Sequence, residues 1–335
     1  MTRERCEKTL IKATDIPQKM DFERIKQIVL QTSITAWNHH ITESSLERWL
    51  SNFSGLVLGD EQAERIIAAW LLMNFTYYTP SEVDELCRVI YRKYIHTKLT
   101  SGYYAKLKAS KQEKIRRILK RTLFAHLGNP SESGAVILYH FRTANELSKD
   151  VFEQTPDLKS RLSDGSVDDV VLIDDVTLSG EQAGKYIKSL DLGSTSVSLL
   201  TFFATPEALE KLSRENPKSQ FIFAQLLDER TKLFSKSSFA FSSKDSMIIK
   251  DLAYELCFNY GNFLVQNELQ AAEQYMKRYP LGFADGQQMF GFYYNTPDNT
   301  LPIFWCDTSK WHSVFRRHSK ILNVEGVEIS DEKYW

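Results

Sequence analysis

The chain has 335 residues, 42% of them hydrophobic, which is enough for one large or two modest cores, and a formal net charge of −1. That balance supplies no global field to draw the protein onto nucleic acid or a membrane surface. Cys6, Cys87, Cys257 and Cys306 stand far apart with no CxxC pair, a pattern of reduced cytoplasmic thiols rather than disulfides or zinc.

The opening stretch MTRERCEKTLIKATD lacks the apolar run of a signal peptide. Phe22, Ile25, Ile28 and Val29 recur at helical spacing, and so do Leu46, Trp49 and Leu50 after Thr42-Glu43-Ser44. Between them His39-His40 lacks nearby Cys or spaced acids and reads as structural or surface. Glu61–Phe75 predicts a buried helix. Its apolar run Ile66–Met73 is far short of the ~20 residues a membrane span needs. Ser81–Tyr94 opens on a Ser-x-x-Asp cap and carries Val83, Leu86, Val89 and Ile90. From Lys106 to Arg121 runs a basic stretch with one acid, Glu113. It fits a solvated helix or a contact with nucleic acid or an acidic partner. Gln112–Leu127 predicts a helix that stops at Gly128-Asn129-Pro130. Residues 1–128 are therefore expected to form an all-helical N-terminal domain. Residues 129–320 form an α/β domain, since strand and helix patterns alternate there, and 321–335 form a tail.

Val136–Phe141 predicts a strand with Arg142 at its carboxyl end, where a guanidinium fork suits a diphosphate or a surface salt bridge. Asp150–Asp169 is a polar connector. Val170-Val171-Leu172-Ile173 is a fully buried parallel strand, and Asp174 and Asp175 stand where it ends. The loop Thr177-Leu178-Ser179-Gly180 follows, then a helix from Glu181 with Ala183, Ile187 and Leu190 on one face. Ligands of open α/β sheets lie outside the carboxyl ends of the strands. Loop N–H groups and a helix N-terminus there make a phosphate site. Two carboxylates accept from vicinal ribose hydroxyls or hold Mg²⁺ through water. The competing reading is local: Ser179-x-x-Gln182 is also a capping box.

Residues 197–230 predict strand, helix and strand, with Pro206 in the first helical turn and Asp228-Glu229 closing the second strand, facing a ligand or capping a turn. Gln288–Tyr294 and Leu301–Trp305 predict a hairpin around Asn295–Thr300. Asn295 and Asn299 could read a nucleobase edge or serve the turn. Trp305, Trp311 and Phe315 read as core.

Residues 170–182 resemble the phosphoribosyl-diphosphate signature of the phosphoribosyltransferases: apolar strand, two acids, apolar residue, Thr/Ser-Gly loop. Leu178 and Gln182 depart from it, since that family usually carries Thr at both positions. The Ala204-Thr205-Pro206-Glu207 turn and the Asp228-Glu229 ending resemble the stretch after the signature in uracil phosphoribosyltransferases. A narrower resemblance rests on Ser133-Gly134, Val136–Arg142, Asn145, Pro280-Leu281-Gly282, Asn295–Ile303, Trp311 and Phe315-Arg316. These resemble the phosphoribosyltransferase-like proteins of bacterial conflict systems, some of which sit beside retron reverse transcriptases in phage defence.

The resemblance covers residues 130–318. It implies a type I phosphoribosyltransferase-like α/β fold, a parallel sheet flanked by helices behind the helical N-terminal domain. It implies a ligand that is phosphoribosyl diphosphate or a nucleotide, with Mg²⁺ on Asp174 and Asp175. Thr177, Leu178, Ser179, Gly180, Glu181 and Asp228 would line the ligand, and Arg142 would meet the diphosphate. It further implies a closing loop within Asp150–Asp169, a lid at Pro280–Asp285 and a defence-system protein partner. A nucleosidase and a degenerate nucleotide sensor or scaffold remain alternatives.

Overall fold

The computed structural model describes residues 12–128, 133–152, 165–190, 195–268 and 280–317. Helices α1 (Phe22–Ala36), α2 (Glu43–Leu50) and α3 (Glu61–Met73) each start at a polar cap. Asp21, Thr42 and Asp60 accept the N–H groups of Arg24, Ser45 and Ala63. Helix α3 is buried almost all round, and its Glu64 is held by four donors. These are the N–H groups of Gly55, Val57 and Leu58 and the hydroxyl of Tyr260, at 2.6–2.8 Å.

Strand β1 (Thr76–Tyr78) leads to α4 (Pro80–Thr100), α5 (Lys111–Lys120) and strand β2 (Thr122–His126). The helix expected over Gln112–Leu127 therefore ends at Lys120. All five residues of β2 are buried, so the strand has no alternation to distinguish it from a helix end. Helix α6 (Ser133–Ala144) follows, where Val136–Phe141 was expected to be a strand. Ile137 and Phe141 are fully buried while Val136 and Tyr139 are exposed, which is one face of a 3.6-residue period. Then come β3 (Asp169–Thr177), α7 (Glu181–Ser189), β4 (Ser196–Ala204), α8 (Pro206–Glu215), β5 (Gln220–Leu226), α9 (Lys244–Phe263), β6 (Phe290–Phe292) and α10 (Pro302–Trp305).

The main sheet runs β2-β3-β4-β5 with every pair parallel. Helices α4 and α6 cover one face through Tyr94, Ile137 and Phe141 against Phe124, Val171 and Leu200. Helices α7 and α8 cover the other through Ala183, Ile187 and Leu212 against Val170, Leu172 and Leu199. The expected hairpin is absent among the described residues. Strand β6 pairs in parallel with β1, Thr76 opposite Phe290 and Tyr78 opposite Phe292, and Leu301 caps a helix whose first residue is Pro302.

The chain path crosses the boundary expected after residue 128. Strand β2 lies upstream of it yet belongs to the sheet, and the N-terminal helices share one core with Leu256, Phe304, Trp311 and Phe315. Trp49 Nε1 donates to the Ile303 carbonyl at 2.9 Å and Asn52 Nδ2 to that of His312 at 2.8 Å. No helix of the described residues is long and apolar enough to cross a membrane. Cys87, Cys257 and Cys306 are buried; Cys6, the tail 321–335 and Asn129-Pro130 lie outside the described residues.

Candidate functional site

Strand β3 outruns its neighbour β2. The last β2–β3 pair is His126 with Ile173, closed by the Leu127 N–H donating to the Ile173 carbonyl at 3.0 Å. On the other side β4 continues, with Asp174 opposite Thr201 and Thr177 opposite Ala204. The strand expected to end at the two acids runs on to Thr177, and both acids stand beyond its last pair with β2 among the described residues. A cleft of 470 Å³ opens there, lined by Asp174, Asp175 and the turn from Val176 to Ala183. Oδ1 of Asp175 accepts the Val176 N–H at 2.8 Å, and its Oδ2 lies 3.5 Å from the Tyr294 hydroxyl. Burial, then the charges of Asp175 and Asp174, hold the Tyr294 phenol well above its usual range, so it faces the acids as a donor.

The turn into α7 depends on Gly180, the helix N-cap, at φ 68° and ψ 2°. Ser179 is not the cap residue; its Oγ accepts the Glu181 N–H at 3.3 Å. The positive end of the α7 dipole opens on the cleft. Thr177 is 5% exposed, and its hydroxyl has no hydrogen-bond partner among the described residues. Buried hydroxyls are normally paired, so this one is an exception at the edge of the cleft.

Two cations line the cleft that the sequence reading missed, Lys185 and Arg317. Lys185 lies four residues after Glu181 on α7, a spacing that could have found it. Arg317 reaches in from the far end of the described chain. Its Nη1 donates to the Thr296 carbonyl at 2.7 Å, its Nη2 lies 3.5 Å from Asp298, and its guanidinium lies 5.8 Å from the Trp305 ring centroid.

Arg142 does not line this cleft. It stands in the last turn of α6, over the ring of Tyr139 at 5.4 Å, because the element before it is a helix and not a strand. Asp228 does not line it either. It lies past β5 in an adjoining cleft of 490 Å³. There the bond from Arg230, Nη2 to Oδ2 at 2.6 Å, holds its carboxyl below the usual range. Phe283, from the expected lid, and Leu178 line both clefts; Asn295 lines the first and Asn299 the second. Residues 153–164 of the expected closing loop lie outside the described residues. On the basic run, Arg116 and Arg117 pair with Glu113, and Arg121 pairs with Asp168. His40 is structural: it stacks on Tyr77 and Phe315, with Nε2 3.3 Å from the Val314 carbonyl.

Among the described residues no group of three or more His, Cys, Asp or Glu is placed to hold a metal ion. Asp174 and Asp175 both line the cleft; Mg²⁺ is commonly bound by one or two carboxylates, several waters and a ligand's phosphates.

A family model, PRTase-CE, matches residues 46–317. Among solved structures, the chain is similar to an orotate phosphoribosyltransferase from Aeropyrum pernix. The two share 14% sequence identity over 48% of this chain and 75% of that one, with a TM-score of 0.25. No curated protein matches the chain.

Proposed function

As the chain belongs to the PRTase-CE family, we propose that its cleft binds a 5-phosphoribosyl group and that the protein transfers or cleaves at the ribose anomeric carbon. The group would be carried by phosphoribosyl diphosphate or a nucleotide, with Mg²⁺. One observation carries this reading: two carboxylates, an unpartnered buried hydroxyl and a helix N-terminus behind Gly180 meet in a single cleft.

Asp174 and Asp175 accept from the ribose hydroxyls, which fixes the sugar ring. The hydroxyls of Thr177 and Ser179 and the loop N–H groups donate to the 5-phosphate. Lys185 and Arg317 neutralise the diphosphate or its equivalent. The bond from the anomeric carbon to the leaving group breaks with its electron pair leaving on that group. A bond to the acceptor forms as the acceptor loses its proton. Positive charge grows on the sugar in between, and the same carboxylates stabilise it. Mg²⁺ held by Asp174 and Asp175 supplies further charge neutralisation for phosphate oxygens when bound.

The resemblance of Asn295–Ile303 to conflict-system proteins supports a role as a cytoplasmic effector in anti-phage defence, with a protein partner. The buried free thiols of Cys87 and Cys257 agree with a reducing compartment.

A second reading has its own observation. Leu178 packs against the apolar core on the α4 side of the sheet, which leaves the turn with two hydroxyls, those of Thr177 and Ser179. That favours a site that binds without turning over.

The test is incubation with Mg²⁺ and phosphoribosyl diphosphate, or with mixed nucleotides, following diphosphate and free bases. Turnover that disappears in Asp174→Ala/Asp175→Ala supports the enzyme, and bases released without added diphosphate identify a nucleosidase. Thermal stabilisation by ligand without turnover selects the sensor. No binding by the wild-type protein refutes both.

A further inference from the structure

We propose that Tyr294 is a positioning residue for Asp175, and that Asp84, His140 and Tyr293 form a strut that holds it in place. The inference rests on the phosphoribosyl reading of the first cleft. It names groups behind the cleft lining that set the direction of one of its carboxylates.

Tyr293 and Tyr294 are the central residues of a tight turn. The Phe292 N–H donates to the Asn295 carbonyl at 2.9 Å, and the Asn295 N–H donates to the Phe292 carbonyl at 3.1 Å. The two tyrosine rings stand at 87° to each other, so they serve different neighbours. Tyr294 stacks on Phe292 at 5.2 Å, and its hydroxyl lies 3.5 Å from Oδ2 of Asp175. Oδ1 of the same carboxylate accepts the Val176 N–H at 2.8 Å. The carboxylate thus meets a donor on each oxygen, which sets how its remaining lone pairs face a sugar. Such hydrogen bonds are often long without a ligand and tighten in the complex. A phenylalanine would stack on Phe292 as Tyr294 does; the hydroxyl is what reaches the acid.

Tyr293 turns to helices α4 and α6 instead. Its hydroxyl lies 2.6 Å from Nε2 of His140, and Nδ1 of His140 lies 2.7 Å from Oδ1 of Asp84. The carboxylate accepts from the Nδ1–H, which leaves Nε2 of the neutral ring to accept the Tyr293 O–H. The Tyr293 backbone is held as well, its N–H donating to the Tyr78 carbonyl at 2.9 Å. Asp84 comes from α4, His140 from α6 and Tyr78 from β1, so three elements fix the turn. The His140 side chain is 13% exposed, so water competes little for its bonds. The turn is thus set before any ligand arrives.

An acid, an imidazole and a hydroxyl in a row could also be a reactive centre of their own. Neither cleft is lined by Asp84, His140 or Tyr293, however. Both nitrogens of His140 are engaged by the other two side chains. What the row does reach is the turn, where Tyr294 meets Asp175 and Asn295 lines the first cleft. Its place is therefore behind the site, where a small displacement of a binding group carries a large penalty.

The experiment is calorimetric titration of the full chain with ribose 5-phosphate and with its 2-deoxy and 3-deoxy analogues. The wild-type protein should favour ribose 5-phosphate about tenfold over at least one analogue, and Asp175→Ala should remove that preference. Tyr294→Phe, which keeps the ring, should cut the preference about threefold or more, and His140→Ala should cut it by about as much. Tyr293→Phe cuts the strut at its other end and should repeat the His140→Ala result. The double variant Tyr294→Phe/His140→Ala should lose no more than Tyr294→Phe alone, since the strut acts through that hydroxyl. A residue that serves only the fold would lower stability and leave the preference unchanged. A preference that survives Asp175→Ala or Tyr294→Phe overturns the proposal and leaves the phosphoribosyl reading standing. Losses that add in the double variant overturn the strut. A wild-type protein that does not bind ribose 5-phosphate, or binds all three sugars equally, overturns the phosphoribosyl reading and the inference with it.

Discussion

Gly180 lies so close to Leu212 that a Cβ on it would stand 2.9 Å from the leucine Cγ, and 3.2 Å from the Ala208 carbonyl oxygen. The same residue has a left-handed backbone. Conformation and packing thus both demand glycine where the turn meets the cleft. A left-handed L-residue costs about 1–2 kcal/mol, and overpacking adds about 1–3 kcal/mol. Gly180→Ala should therefore lower stability by about 2 kcal/mol or more in urea unfolding, and weaken ribose 5-phosphate binding. An unchanged unfolding midpoint would refute the packing argument.

Thr177→Val separates a ligand-binding hydroxyl from a structural one. The hydroxyl is buried and unpaired in the described structure, and burying it so costs about 1–3 kcal/mol. Removal should leave the unliganded protein as stable as wild type or more so. Affinity for ribose 5-phosphate should fall about tenfold, equivalent to about 1.4 kcal/mol. Reduced stability with unchanged affinity would assign the hydroxyl to the fold.

Arg317 and Arg142 make a matched pair of tests. Arg317 lines the cleft and Arg142 does not. Arg317→Ala should weaken phosphoribosyl diphosphate binding about tenfold or more, given a charge-assisted contact of about 1.5–3 kcal/mol. Arg142→Ala should leave it within about twofold. The reverse order in titration calorimetry would restore Arg142 to the site.

At the opposite end of β3, Asp169 is buried and pairs with Lys98 at 2.9 Å. It also accepts from the hydroxyls of Tyr94, Ser198 and Ser196 at 2.6–2.9 Å. Asp169→Ala strands the Lys98 charge and should cost about 3–5 kcal/mol, while Asp169→Ala/Lys98→Met should recover part of it. Chemical denaturation of both variants decides; equal losses would mean that the ion pair is not the main term.

Alkaline pH should expose Tyr77 and Tyr78, whose phenols are pushed up to about 12, chiefly by burial. A raised folded-state value means that the unfolded chain releases its protons first. Their contribution is fully present below pH 10 and is lost as pH rises from 10 to 12. In urea titrations, Tyr77→Phe/Tyr78→Phe should lose less stability across that window than wild type. Parallel curves would contradict the assignment.

Residues 170–182 were legible because each level of their chemistry agrees: an apolar run, two acids, a small-residue loop, a polar helix start. That order is local, and the strand, turn and helix follow in that order, the strand running four residues past Ile173 to Thr177. Val136–Phe141 was not legible. A six-residue apolar run fits a buried strand or one face of a helix, and only the packing of Ile137 and Phe141 beneath α4 decides between them.

By itself, the sequence determined the parallel strand that carries Asp174 and Asp175, the glycine turn after it and the buried helix α3, since each follows from spacing within about a dozen residues. The tertiary structure alone decided which distant groups complete the site. Arg317 enters it and Arg142 is left outside. Asp228 and Asn299 fall in a second cleft, and the N-terminal helices share their core with the end of the described chain. Those outcomes depend on contacts between residues a hundred or more positions apart, such as Trp49 with Ile303 and Tyr294 with Asp175, and no local pattern of residue types encodes them.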